Sequence, residues 1–399
     1  MAKTSNELLL DALIRHQIYL MRFSGAVRKK IEKLLNATEK DLAQKIRDML
    51  RDPEPGSALA IRRLEQLEEW IKNLRYKTFD EIDETWVRSM KALAQQEPTF
   101  VAAAMNTTAP VLLDLVLPAP AMLRAIVETH PVEGKVLKTW AKDLRKVDVD
   151  RIISQIKIGM VQGEPSDVIA RRVVGTAKLS GADGVTEMTR RDAAAITRTT
   201  VNAIANEAKQ MMYEENSDIL DQELFVATLD SNTTAVCRAN DGKTFPLGKG
   251  PIPPLHFQCR SLRVAIFDGV ILGNRPAKPF TQKQLVKEFA KQEDLGDISS
   301  RDDLPRGYKS DYDEYERQRI RELTGRVPAT TSYQTWLEGQ SASFQDDILG
   351  KTKGTLFRDG DLQLDKFINR NGDELTLAEL AEKHAEAFRA AGLDPEDFL

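Results

Sequence analysis

Apolar residues recur at helical spacing through most of the first two hundred positions. Leu9, Leu10, Leu13, Ile14 and Ile18 open the pattern, and Leu20, Met21, Val27, Ile31, Leu34 and Leu35 continue it. The chain therefore reads as helix from Leu8 to about Leu50. Gly25 is a candidate bend, and Thr38 followed by Asp41 resembles a cap that restarts the helix. The run Asp52-Pro53-Glu54-Pro55-Gly56-Ser57 stops it, since proline supplies no amide donor and clashes with the preceding turn. A second periodic run from Ala58 to Gln96 carries Leu64, Leu67, Trp70, Ile71, Leu74, Ile82, Trp86, Met90 and Leu93. The apolar stretch Val111 to Leu117 is too short and interrupted to cross a bilayer. It is expected as a buried core helix, the other reading being a segment that packs on another subunit.

Two further helices are expected between Ala121 and Ile158, divided near His130-Pro131. Gly163 and Pro165 then turn the chain, with Ser166 as N-cap and Asp167 in the first helical turn. Residues 179–184 form a glycine-containing loop. A long helix over 189–215 carries a small-residue stripe that includes Ala194, Ile196, Val201, Ile204, Ala205 and Ala208. Asn202 and Asn206 share one face of it and read as structural bridges to a neighbouring strand or loop.

The period changes near Leu224. Phe225 to Leu229 suits a strand, Asp230-Ser231-Asn232-Thr233 a turn, and Asn240-Asp241-Gly242-Lys243 a tight turn. Thr244-Phe245 returns as a short strand. A Gly/Pro-rich loop leads to Pro253-Pro254-Leu255-His256-Phe257-Gln258-Cys259, and Arg260 to Phe267 alternates as a strand does. The fold class is α+β, predominantly α-helical, with a small antiparallel β element over about 224–267 that can carry a Cys/His clip. Residues 274–279 read as linker, followed by a charged helical region to about Leu323 that Pro305 and Gly307 interrupt. From Tyr333 two helical segments surround Trp336 and Ile348. An alternating run spans Leu362 to Ile368, Asn371-Gly372 is a turn, and a last helix from Leu375 to Ala390 is capped by Thr376. Four regions result: a helical N-terminal region over 1–150, a core over 151–273, a charged linker and helix over 274–330, and a helical C-terminal region over 331–399.

Composition narrows the function classes. The 399 residues carry a net charge of −4, which gives no bulk attraction to nucleic acid or membrane. The charge is uneven. Residues 1–50 hold ten Lys/Arg against six Asp/Glu, and residues 281–399 hold seventeen against twenty-five. Arg28, Lys29, Lys30 and Lys33 form a basic patch that reads as a solvated helix face, with contact to phosphate as the other reading. Two cysteines in so long a chain exclude a disulfide scaffold and fit a reducing cytoplasm where the protein is made. The phosphate-loop, HExxH and GxSxG patterns are absent from the sequence. The adjacent acids Asp302-Asp303 and Asp346-Asp347 read as surface charge.

One cluster has the chemistry of a metal site. Cys237, His256 and Cys259 are soft-metal ligand types, and His256 and Cys259 share one loop while a hairpin would fold Cys237 back to them. Structural zinc takes four such ligands, so Asp230 or Asp241 would supply an oxygen, or water would complete the site. Three readings stay open: bound zinc, two facing thiols or a disulfide, and buried cysteines acting as small apolar residues while His256 holds the loop by a backbone hydrogen bond.

The run Asp230, Cys237, Asp241-Gly242-Lys243, Phe245, Pro253-Pro254, His256 and Cys259-Arg260 resembles the phage Mu F-like minor head protein family, also called the phage head morphogenesis family. The preceding helix, with Ile196-Thr197-Arg198-Thr199 and Asn206, is similar to that family's Arg-Thr helix. Tyr333-Gln334-Thr335-Trp336-Leu337, Gln340, Asp347-Ile348-Leu349-Gly350 and Leu362 to Phe367 resemble its ending. The resemblance covers roughly Ile153 to Leu380. Many relatives place further cysteines where this chain has Thr234 and Ser261, which leaves a Cys-His-Cys remnant of a four-cysteine site.

The resemblance implies a non-enzymatic minor capsid protein of a tailed bacteriophage. It implies a low-copy virion component at the head interior or portal vertex, made in the host cytoplasm and acting in viral assembly, DNA packaging or DNA ejection. The implied partners are the portal protein, the major capsid or scaffold protein, packaged DNA and copies of itself, with no membrane. The competing classes are a zinc-dependent enzyme or toxin-like module, and a DNA-binding protein acting through the basic N-terminal patch.

Overall fold

Long helices form where the apolar period holds. The computed structural model describes residues 4–51, 57–109, 111–266, 274–328 and 330–399. α1 (Ser5–Ala37) starts at a capping box between Thr4 and Glu7, and runs through Gly25 without interruption. α2 (Glu39–Leu50) follows after the single residue Thr38. Thr38 does not cap α2 with its side chain. Its hydroxyl donates to the Leu35 carbonyl at 2.9 Å and accepts from the buried Arg75 at 2.7 Å. The expected stop over 52–56 lies outside the described residues.

α3 (Ala58–Thr108) continues past the expected end at Gln96 and through Pro98. The apolar period continues through the buried Val101 and Met105, so packing holds the helix beyond the proline. The segment 111–117 is neither helix nor core, contrary to the expectation of a buried helix. Val111 and Leu112 are 65% and 86% exposed, and only Leu113 and Leu115 turn inward. Two asparagines hold this strap in place. Asn106 accepts from the Leu113 amide at 2.6 Å, and Asn216 both accepts from and donates to the Val116 backbone.

α4 (Pro120–Thr129) and α5 (Leu137–Val161) flank the His130 turn as expected. α6 (Ser166–Val174) begins one residue earlier than read: Pro165 is the N-cap, and Ser166 is already the first helical residue. α7 (Thr186–Glu214) is central. Its buried residues join α1, α3, α4 and α5 in one core that includes Leu20, Ile31, Trp86, Leu123, Leu144, Ile196 and Ala208. The core therefore runs across residue 150. Fully buried Trp86 also donates its indole N–H to Thr197 of α7 at 2.8 Å.

The small sheet is antiparallel, in the order β2-β1-β3. β1 (Gln222–Val226) is its centre and pairs Leu224 with Thr244 and with Val264. Between β1 and β2 (Thr244–Pro246) stands a short helix, α8 (Ala235–Asn240), which the sequence reading missed. β3 (Leu262–Ala265) completes the sheet, whose inner face packs with Leu9, Leu13, Val101 and Met212.

The expected linker beginning at residue 274 is a strand. β4 (Asn274–Ala277) pairs antiparallel with β5 (Gly325–Pro328). α9 (Gln282–Gln292) and α10 (Lys309–Leu323) lie between them and share a small core around Phe289 and Tyr312. The C-terminal region packs α11 (Tyr333–Glu338), α12 (Ala342–Leu349), α13 (Lys351–Arg358), α14 (Leu377–Lys383) and α15 (Ala385–Ala390) around Trp336, Phe344, Leu356 and Phe388. Thr376 caps α14 with Glu379 in a capping box, as its position suggested. The expected single last helix is broken at His384, whose backbone leaves helical geometry.

Candidate metal centre and its support

Cys237, His256 and Cys259 come together. Cys237 Sγ lies 3.3 Å from His256 Nε2 and 3.7 Å from Cys259 Sγ, and the three ligand atoms fall within 4.8 Å of one another. Both cysteines are buried and free, so no disulfide forms. Tetrahedral zinc with Zn–S bonds of about 2.3 Å would hold two sulfurs about 3.7 Å apart, which the observed spacing matches. The donor set and spacing fit a metal.

The position of each ligand follows from its neighbours. Cys237 sits on α8, near its middle, and this short helix within the expected hairpin folds it back to the other two. The helix ends at Asp241, and Gly242 at φ +80° then reverses the chain into β2, a conformation that glycine adopts without cost. His256 and Cys259 sit on the loop before β3, which contains the cis Pro253-Pro254 bond. Nδ1 of His256 lies 2.8 Å from the Phe257 carbonyl and is the nitrogen that donates to it. That bond fixes the tautomer and leaves Nε2 free to accept or to ligate.

α7 carries the loop. The Thr199 hydroxyl accepts from the Gln258 amide at 2.9 Å, Arg198 donates to the Gln258 side chain at 2.6 Å, and Asn202 donates to the Ser261 carbonyl at 3.5 Å. Asn206 donates to Asn202 and accepts from buried Lys209 at 3.0 Å. Asn202 thus makes the bridge to the loop that its spacing suggested, while Asn206 binds Asn202 and Lys209 within α7. At the loop tip Phe257 meets Trp140 of α5 edge to face, with ring centroids 5.4 Å apart.

The two cysteines share one proton unequally. A hydrogen bond from the Cys237 thiol, reinforced by His256, outweighs burial and holds Cys259 well below an ordinary thiol, at about 4. Cys237 is driven upward by its bond to Cys259 and by burial. Burial disfavours charge on His256, but the Cys259 thiolate overrides it and raises the imidazole pKa. The cluster thus carries a thiolate and an imidazole side by side, which is the protonation chemistry a divalent cation exploits. Thr234 and Ser261 face Cys237, and their hydroxyls favour its thiolate form. Thr234 and Ser261 therefore lie in this cluster.

Neither proposed carboxylate ligand takes part, which corrects that expectation. Asp230 is held in a bidentate pair by Arg260, at 2.5 and 2.8 Å. Asp241 is buried and accepts from Arg275, from the Ala227 amide at 2.6 Å and from the Tyr333 amide at 2.7 Å. Both have their lone pairs engaged by cations and amides, so neither is available to a metal. Among the described residues the cluster has three ligands.

These carboxylates instead tie the site to the rest of the chain. Asp241 joins β1, β4 and α11, and the Tyr333 hydroxyl donates to the Asp230 carbonyl at 2.7 Å. Arg263 of β3 is buried, pairs with Glu223 at 3.2 Å and donates to the Lys249 and Pro251 carbonyls at 3.1 Å, which shapes the Gly/Pro-rich loop. Sequence reading missed Arg275, Arg263 and Glu223. Alternation would have turned the last two outward, opposite Leu224 and Val264, whereas both faces of these strands are buried. Nothing local marks Arg275, whose partners lie 34 and more positions away.

A small sheet and a Cys-His-Cys cluster, joined internally by arginine–carboxylate pairs and held on α7 through Arg198, Thr199 and Asn202, form one module. Residues 126–263 match the family model described as Phage Mu protein F like protein, and this segment is similar to that family. The match begins within α4, ends within β3 and contains all three cluster residues. No curated protein and no solved structure matches the chain. No helix among the described residues is long and apolar enough to cross a membrane.

Proposed function

We propose that this chain is a minor capsid protein of a tailed bacteriophage, a low-copy structural component that acts at the portal or head interior during assembly, DNA packaging or ejection. The observation that carries this reading is the family match over 126–263, which falls on α7 and the Cys/His loop that α7 supports. The reading is non-enzymatic. Asp230 and Asp241, the only bases the sequence offered beside the cluster, are spent on Arg260 and Arg275. Its partners are the portal protein and the major capsid or scaffold protein, with packaged DNA and further copies of itself as additional contacts. It acts in the virion after synthesis in the host cytoplasm. Quantitative mass spectrometry of purified, DNA-filled particles tests the reading: a few copies per particle are expected, and complete absence would remove the virion role.

The Cys237, His256 and Cys259 cluster is proposed as a structural zinc clip. Zinc bound there would supply folding energy by joining α8 to the loop before β3. Elemental analysis of protein purified without chelator is expected to give one zinc per chain, lost in Cys259→Ser and His256→Ala. Metal-free protein that still assembles infectious particles would dismiss the clip.

A further inference from the structure

The C-terminal region is acidic overall, yet one cleft in it is cationic. The Asn369–Asp373 turn and the end of α14 enclose an open cavity of about 490 Å³ whose lining includes Lys366, Arg370, Lys383 and His384. Asp365 is the acid in that lining, and it is shared: its carboxylate lies 3.9 Å from Lys366 Nζ and 4.0 Å from Lys243 Nζ. The neighbouring acids are engaged elsewhere. Glu374 binds Lys353 at 2.7 Å, and Asp373 accepts from the Asn369 side-chain amide at 3.0 Å. Among the described residues Arg370 and Lys383 form no ion pair within 4 Å, although Lys383 lies in the field of Glu379 on the same helix. Burial, and then the charges of Lys366 and Lys383 against the opposing Asp365, push the His384 imidazole below its ordinary pKa.

The wall of this cleft is preformed. Asn369 Oδ1 accepts from the Asn371 and Asp373 amides at 2.8 and 2.9 Å, and Ile368 bridges to Glu374. Gly372, at φ +88°, sits so close to Val236 that a Cβ there would meet its Cγ2 at 2.9 Å. Val236 belongs to α8, the helix that carries Cys237. The cationic cleft is thus built against the far side of the clip module.

We infer that this cleft binds the phosphate groups of a nucleic-acid backbone. An arginine fork and two lysines lining one open concavity suit a tetrahedral oxyanion with several acceptor oxygens. The choice of nucleic acid as the source of phosphate rests on the proposed place of the chain in the phage head, where the genome is the dominant polyanion. The clip need not hold metal for the cleft to work, since the Asn369 turn and Gly372 set its shape.

The test uses the full chain and a fluorescent duplex of about 30 base pairs, with binding followed across roughly 50 to 200 mM salt. Lys366→Ala/Arg370→Ala/Lys383→Ala is expected to weaken binding at least tenfold and to flatten the log–log salt slope by about 2 to 3, at about 0.9 for each phosphate no longer neutralised. Lys366→Arg/Lys383→Arg should retain binding, because charge is what the cleft supplies. Lys29→Ala/Lys30→Ala/Lys33→Ala should leave the slope unchanged. An unchanged slope in the cleft variant, with unaltered circular dichroism, overturns the inference, as does a loss carried by the α1 variant. If inorganic phosphate perturbs the His384 resonance while the duplex does not bind, the nucleic-acid assignment falls. A chain found in particles that binds no duplex defeats this inference alone, and one that binds duplex but is absent from particles defeats the head assignment alone.

Discussion

The helical bundle and the β module are built on different physics. The bundle buries a continuous apolar core that spans α1, α3, α4, α5 and α7. The Cys/His side of the module has a buried cluster of only Phe225, Ala227, Cys237 and Cys259, with Val236, Phe245 and Leu255 packed beside it. What the module lacks in apolar area it replaces with specific polar joints: Arg260 to Asp230, Arg275 to Asp241 and Arg263 to Glu223. Apolar packing tolerates exchange of similar side chains, whereas a buried ion pair fixes one geometry and is costly to leave half-made. The module is therefore a set of fixed joints resting on α7, and its cluster is the innermost of them.

The largest effect should come from the bundle. Trp86→Ala removes a fully buried indole at the α3–α7 contact together with its hydrogen bond to Thr197, whose hydroxyl keeps its bond to the Ala193 carbonyl. A loss of about 3 to 5 kcal/mol is expected in denaturant unfolding. The whole chain should lose stability in one step, since the bundle carries α7 and α7 carries the Cys/His loop. If unfolding splits into two transitions with the module unaffected, the dependence of module on bundle is wrong.

The converse perturbation should be smaller and local. Arg260→Ala strips Asp230 of both its charged hydrogen bonds while the pair is still partly reached by solvent. A cost of about 2 kcal/mol is expected, the range for hydrogen bonds to charged groups. Limited proteolysis should then cut between α8 and β3 while the bundle survives. Cleavage confined to the bundle would invert the comparison.

The two regions also differ in how legible they were. The bundle could be read from periodicity because each helix announces its buried face within a few turns, as Leu9, Leu13 and Leu20 do in α1. The cluster could be read because cysteine is rare here and His256 and Cys259 share a loop. The strap at 111–117 misled because its composition is that of a core strand or helix, while Asn106 and Asn216, which hold it at the surface, lie at either side and far along the chain. β4 was hidden by Pro276, since proline demotes a strand reading, yet its partner β5 leaves it one short two-stranded ladder where an absent donor costs little. Asp230 and Asp241 looked available as ligands because nothing near them in sequence reveals Arg260 and Arg275 as their partners. Long-range pairing was the missing information in each case.

The smallest expected effect lies where the two regions meet. Lys209 of α7 is buried beside Asn206, near Glu97 of the bundle and Glu223 of the sheet. Burial lowers its pKa to about 8, against the partial support of those two carboxylates. The folded chain therefore releases this proton near pH 8, while the unfolded chain keeps it to about 10.5. Between these values the unfolded state binds more protons, so stability rises with pH across the window and the full burial penalty applies below it. Lys209→Met removes the penalty but also the attraction to Glu97 and Glu223, so a net gain of only about 1 kcal/mol is expected near neutral pH. Unfolding free energies measured from pH 7 to 10.5 should rise less steeply in the variant than in the wild type. Parallel curves would mean that Lys209 is already neutral, or fully compensated, in the native seam. A variant less stable than wild type at pH 7 would mean that the lysine is a fourth polar joint of the module rather than a cost borne by the bundle.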